Sequence, residues 1–236
     1  MKKWFSQLGQ DKFVIEKIFS NKKNGVFVEV GAHDGKYLSN TFMLEKKYNW
    51  SGVCIEPSVR AADLKRARQK SLIFNYCICS KEFDNKIVRF REFSNPEISV
   101  TLFEDLYNEP HLPKELKREE GKFWDRLKMC KTLDFTLEES GLKKDIDYIS
   151  IDIQGSEWLA IKDFPFDKWN VKVFTIANDM YVGGEKKKNR DKTKSLMEKN
   201  GYKLTRAFSL KHLDVDNWNK DYEGDIIEEL YVKQGV

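Results

Sequence analysis

The chain has 236 residues, 40% hydrophobic and 13% aromatic, which is enough for a core and too many for a disordered chain. Its 42 Lys and Arg stand against 38 Asp and Glu, a net charge of +4, with bases scattered among acids, which argues against a nucleic-acid surface. No apolar run approaches the roughly 18 residues of a membrane span, and Met1-Lys2-Lys3-Trp4-Phe5-Ser6-Gln7 turns polar too soon for a signal peptide, so a soluble, cytoplasmic protein is expected.

The elements follow in chain order. Residues 1–24 precede the first apolar run, Gly25-Val26-Phe27-Val28-Glu29-Val30, which ends at Gly31 as a buried parallel strand would. A helix is predicted over 38–48, a strand over 52–57 stopped by Pro57, a helix over 59–70 and a third strand over 71–79. Strands alternating with short helices imply βαβ units and a parallel sheet. Residues 86–93 alternate at period two, as in a strand with one wet face. The stretch 94–129 is less regular and carries the charge run Lys114-Glu115-Leu116-Lys117-Arg118-Glu119-Glu120; it is either a solvated face or a lid over the site.

Alternation then resumes with strands over 147–152 and 171–177, a helix over 190–200 closed by Gly201, and strands over 202–208 and 226–233. Nothing marks a second domain, so residues 1–236 are expected to form one doubly wound α/β unit with helices on both faces. Cys54, Cys77, Cys79 and Cys130 lack zinc spacing and are expected as buried thiols.

In an open α/β sheet, ligands bind beyond the carboxyl ends of the strands. The first end reads Glu29-Val30-Gly31-Ala32-His33-Asp34-Gly35, where Gly31 and Gly35 permit a tight turn. A dinucleotide fingerprint would need glycine at 33 and 36, where His33 and Lys36 stand. The second end offers Glu56, placed to accept hydrogen bonds from a ribose diol. Together they suggest a nucleoside cofactor without a diphosphate, a description that S-adenosylmethionine fits.

Ser6-Gln7-Leu8-Gly9-Gln10-Asp11, Val28-Glu29-Val30-Gly31-Ala32-His33-Asp34-Gly35, Ser39-Asn40-Thr41, Gly52-Val53-Cys54-Ile55-Glu56-Pro57, Asn75-Tyr76-Cys77-Ile78, Thr132-Leu133-Asp134 and Ile149-Ser150-Ile151-Asp152-Ile153-Gln154-Gly155-Ser156-Glu157 occur in this order. In these motifs, over about residues 6–180, the chain resembles the FkbM family of methyltransferases. The resemblance implies a class I methyltransferase fold: a Rossmann-like, mostly parallel, seven-stranded sheet with a reversed final strand. It further implies S-adenosylmethionine as cofactor and O-methylation of a saccharide acceptor, such as a deoxyhexose in a glycan. By the same resemblance, Glu29, Gly31 and Asp34 would meet the methionine part, with Ser39 and Asn40 nearby and Gln10 closing over from the N-terminal segment. Glu56 would hold the ribose, and Asn75 and Cys77 would border the adenine. Two positions depart from the pattern: Gln154 stands where Glu is frequent, and Asn178-Asp179 where a Glu-x-Asn type sequence is usual.

Activation of a hydroxyl needs a base or a metal. Asp152, Asn178 and Asp179 end neighbouring strands and could hold Mg, Mn or Ca; alternatively Asp152 touches the cofactor and Asn178-Asp179 begins a turn. His33 is the best placed of three histidines for a base, with Asp152 and Asp179 as the other candidates. Trp124, Trp158, Trp169, Tyr181 and Trp218 offer faces for a sugar ring, Tyr181 foremost, though core packing is the commoner use. Lys186-Lys187-Lys188 is a wet loop or an attraction for a phosphorylated sugar. The competing functions are an NAD-dependent oxidoreductase on the same sheet and a cofactor-binding module without turnover.

Overall fold

A computed structural model describes residues 4–93, 99–102, 123–178, 186–209 and 226–235. The described strands are β1 (Val26–Val30), β2 (Ser51–Ile55), β3 (Ser71–Phe74), β4 (Cys77–Cys79), β5 (Ile87–Phe93), β6 (Val100–Leu102), β7 (Phe123–Thr132), β8 (Asp145–Ile151), β9 (Asn170–Ala177), β10 (Tyr202–Ser209) and β11 (Ile226–Lys233). Seven of them form one sheet in the order β10-β11-β9-β8-β1-β2-β3. β11 pairs antiparallel with both β9 and β10, and the remaining pairings are parallel. This is the class I methyltransferase arrangement, with its reversed last strand inserted between two earlier ones.

Period-two alternation sorts the central strands onto two cores. Val28, Val30, Val53, Ile55, Ile149 and Ile151 pack with Leu133 and Leu137 of the helix Leu133–Glu139, Ile161 of the helix Glu157–Ile161, and Met197 of the helix Lys186–Lys199. Phe27, Cys54, Tyr148 and Val173 pack on the opposite face with Leu44 of the helix Phe42–Tyr48, Leu64 of the helix Ala61–Ala67, and Val14 and Ile15 of the N-terminal segment. Helices therefore cover both faces, and the central strands read as near-continuous apolar runs because neither side meets water. Among the described residues, no helix is long and apolar enough to cross a membrane.

The sequence expectation of one strand over 71–79 is corrected. β3 stays in the large sheet, while β4 leaves it to pair in parallel with β7. The break falls at Asn75, whose side-chain amide donates to the backbone carbonyls of Glu56 and Ser58 at 2.7 and 3.1 Å. The predicted helix over 38–48 begins only at Phe42, because Ser39, Asn40 and Thr41 turn to bond the Glu29 carboxylate. Of the stretch 94–129, residues 100–102 and 123–129 are strand: β5, β6, β7 and β4 form a second, four-stranded sheet in the order β4-β7-β5-β6. The charge run lies outside the described residues. All four cysteines are buried and free.

Candidate active site

Parallel pairing brings the carboxyl ends of β2, β1 and β8 into line. The Gly31 and Ala32 amides donate to the Ile55 carbonyl at 2.9 and 3.1 Å, and the Asp152 amide donates to the Val30 carbonyl at 3.0 Å. Gly31 has φ 87°, and a Cβ there would lie 1.9 Å from the Asp152 carbonyl oxygen, so no other residue fits. Over these ends opens a cavity of about 490 Å³, walled on one side by Gly31, Glu56, Asp152 and Asn178 and on the other by Phe90, Glu92, Trp124 and Arg126 of the small sheet.

Glu56 is buried, and its two oxygens accept the backbone amides of His33 (2.7 Å) and Ser58 (2.8 Å). A carboxylate has about four acceptor sites, so Glu56 keeps capacity for a diol. His33 and Asn178 line this cavity; the two ring nitrogens of His33 and the amide nitrogen of Asn178 are buried without a hydrogen bond, His33 Nδ1 lying 3.7 Å from Asp34 Oδ1. Buried polar atoms without a hydrogen bond are rare in native proteins. Backbone strain concentrates here too. His33, Leu38 and Gln154 have φ of 48°, 52° and 53° and line the cavity, whereas the other left-handed non-glycine residues described are Ser20, Asn21, Asn24, Asn49 and Asn85. Asparagine and histidine adopt that conformation more readily; Leu38 and Gln154 hold it at about 1–2 kcal/mol each.

Several residues expected at the cofactor are bonded to the loop that follows β1. The Glu29 carboxylate accepts from Ser39 Oγ (2.8 Å), Asn40 N (2.8 Å), Thr41 Oγ1 (2.7 Å) and Arg68 (3.2 Å). Arg68, with a side chain wholly buried, also bonds Glu45 at 2.9 Å, the Gly35 carbonyl at 3.1 Å and Thr41 Oγ1 at 2.6 Å. Burial pushes the Glu45 carboxyl up, but the Ser71 hydroxyl, which donates to it at 2.6 Å, and then Arg68 hold it below the usual range. Asp34 accepts the Lys36 and Tyr37 amides at 2.9 and 2.7 Å, a loop-closing turn whose bonds lower its pKa against the opposing effect of burial. Gln10 donates to Glu228, and Asn40 joins Glu228 to Ser150 at 3.1 and 2.9 Å. Ser39 and Cys77 line the cavity, while Gln10, Glu29, Asp34, Asn40 and Asn75 are not among its lining residues.

The expected cation site is not supported by the donors present. Asp152 and Asn178 both line the cavity, but Asp152 Oδ1 accepts the Gln154 amide at 3.0 Å. Among the described residues, no three or more His, Cys, Asp or Glu come together to hold an ion. Asp179, like Tyr181 and Trp218, lies outside the described residues. The Gln154 bond gives a physical reason for the departure at that position, since a glutamate there would have no proton to donate and would repel Asp152.

Sequence reasoning missed Arg68, Glu228 and the Glu92–Arg126 pair. Glu228 is buried on β11, and desolvation, reinforced by the Asp152 charge, pushes its carboxyl up to about 8. The available signal was a pair of acids, Glu228-Glu229, inside an apolar strand. Arg68 left no local signal, being one base among Lys65, Arg66 and Lys70.

No curated protein sequence matches the chain. Among solved structures, it is similar to a fibrillarin pre-rRNA processing protein of Methanococcus jannaschii, at 13% identity and TM-score 0.44, over 92% of this chain and 69% of that one. It is also similar to an S-adenosylmethionine-dependent methyltransferase of Clostridium acetobutylicum, at 10% identity and TM-score 0.43, over 97% and 93% of the two chains. The model of the methyltransferase FkbM domain matches residues 29–204. With the strand order and the glycine turn facing Glu56 already in place, the chain belongs to the FkbM methyltransferase family.

Proposed function

We propose that the protein transfers the methyl group of S-adenosylmethionine to a hydroxyl of a sugar. The observation that carries this is the cavity itself, lined by the bare Gly31 turn and the Glu56 carboxylate with spare acceptor sites from the large sheet, and by the half-exposed indole of Trp124 from the small one. S-adenosylmethionine supplies a methyl group already attached to a good leaving group. The chain supplies alignment, which in methyl transfer is a large part of the acceleration. Gly31 lets the backbone approach closely, Glu56 accepts the ribose hydroxyls, and Cys77 with Ile78 borders the base.

His33 is the base we assign. His33 lines the cavity and neither ring nitrogen makes a hydrogen bond, with Nδ1 3.7 Å from the Asp34 carboxylate that can orient the ring. A neutral imidazole can take the proton of a hydroxyl as the new bond forms.

The test incubates the protein with isotopically labelled S-adenosylmethionine and a panel of oligosaccharides, with and without EDTA. Label in a sugar methyl ether, undiminished by EDTA, supports the proposal. Label only in an amine contradicts it, and activity that returns only with added divalent metal takes the activating role away from His33. Binding of S-adenosylhomocysteine with no turnover on any acceptor favours the module without catalysis, and binding of NAD alone favours the oxidoreductase.

A further inference from the structure

The small sheet supplies a wall whose chemistry the cofactor does not use. β7 alternates, so Trp124 and Arg126 face the cavity while Phe123, Asp125 and Leu127 face away. In register, Trp124 stands opposite Glu92 and Arg126 opposite Phe90, with Thr101 of β6 beyond Phe90. All five of these residues line the cavity. Trp124 is 54% exposed, a large indole left open to solvent in a concave wall. Beside it, Arg126 Nε donates to Glu92 Oε2 at 2.7 Å, their side chains 38% and 11% exposed. Among the described residues, the two terminal nitrogens of Arg126 and the second oxygen of Glu92 have no further partner.

Together these groups match one ligand chemistry. An indole face offers apolar contact to the C–H side of a pyranose ring. A guanidinium and a carboxylate side by side present a donor and an acceptor, which is what a vicinal diol requires: one hydroxyl accepts from Arg126 while its neighbour donates to Glu92. Glu56, Glu92, Asp152 and Glu157 line the cavity against Arg60 and Arg126, with Lys128 near Glu92, so the acids still outnumber the bases and an acidic or phosphorylated sugar gains no net attraction.

We infer that the inner face of the small sheet is the acceptor subsite, in which Trp124 stacks a neutral pyranoside and the Arg126–Glu92 pair reads its diol. The inference rests on the sugar-methylation reading and deepens it by assigning the residues that choose the acceptor.

The experiment uses the full chain. Calorimetry first establishes S-adenosylhomocysteine binding. Saturation-transfer NMR on that complex then compares a neutral methyl pyranoside with a methyl glucuronide. The expected result is transfer to the neutral sugar in preference to the glucuronide. Trp124→Ala should weaken the sugar by about three- to ten-fold, Trp124→Phe should restore much of the loss, and both should keep the S-adenosylhomocysteine affinity. Glu92→Gln should let the glucuronide compete, a change of preference that a merely structural role would not produce.

An unchanged sugar signal in a Trp124→Ala protein that still binds S-adenosylhomocysteine overturns the inference. So does a wild-type complex that binds no pyranoside or prefers the glucuronide. A wild-type protein that binds no S-adenosylhomocysteine fails at the first step and overturns the methyl-transfer reading itself.

Discussion

The two walls of the cavity are built on opposite plans. Behind the large sheet's wall, Glu29, Glu45, Ser39, Thr41 and Arg68 are buried and bonded to one another, so the loop after β1 is held from beneath by a buried polar network. On the small sheet, Trp124 and Arg126 reach into the cavity half-exposed, with one ion pair between Arg126 and Glu92. Fully satisfied buried networks rigidify and specify one geometry, whereas an open wall leaves its groups to a ligand. The difference suits a common donor held in one pose and an acceptor selected by surface chemistry. It also predicts that substitutions on the two walls fail in different ways.

The largest effect belongs to the buried network. Arg68→Ala would leave Glu29 and Glu45 buried without their cation, a loss of about 3–5 kcal/mol; urea denaturation should show the midpoint fall with an unchanged slope. Comparable stability in Arg68→Ala would mean that the network is ornamental and that the contrast between the walls is false. Next comes His33→Ala, which should lower kcat by about 10²–10⁴ fold if His33 is the base, while S-adenosylhomocysteine affinity and melting temperature change little. A folded His33→Ala enzyme with normal turnover would move the base elsewhere.

A pH experiment sharpens the same comparison at the seam between β11 and the loop after β1. The Glu228 carboxyl is raised from 4.5 to about 8 by burial, so the native state keeps a proton that the unfolded chain has lost. Stability contributed by this group therefore falls as pH rises through that interval and is level above it. Glu228→Gln, which cannot ionise, should melt like the wild type at pH 4 and higher than it at pH 9. Equal melting curves at both values would show that the carboxyl is not buried as described. The smallest effect is at the joint between the sheets. Thr132 ends β7 and caps the helix Leu133–Glu139 through Oγ1, which accepts the Phe135 amide at 3.1 Å, so Thr132→Ala should cost about 1 kcal/mol in the same denaturation assay.

How legible each wall was in the sequence follows the same division. β1, β2, β8 and β9 are buried on both faces and announce themselves as short apolar runs, and Gly31 and Glu56 stand where those runs stop. Local pattern carries that information because the strand and its terminus are contiguous. β7 reads Phe-Trp-Asp-Arg-Leu-Lys-Met-Cys-Lys-Thr; its outer face is as apolar as its inner one is charged, so alternation existed without revealing which side met the cavity. Arg68 and Glu228 are brought to the site by pairing over long sequence separations, 39 residues from Arg68 to Glu29 and 218 from Gln10 to Glu228. Among the aromatic residues, Trp169 is buried in the core while Trp124 lines the cavity, a distinction that only tertiary placement could make.

The most direct measurement is calorimetric titration of S-adenosylhomocysteine into the wild-type protein and into Glu56→Ala. The account predicts one site per chain in the wild type and an affinity lowered by about 10- to 100-fold in the variant, the loss expected when a charged acceptor of ribose hydroxyls is removed. Equal affinity in the two proteins, or no binding to either, would contradict it.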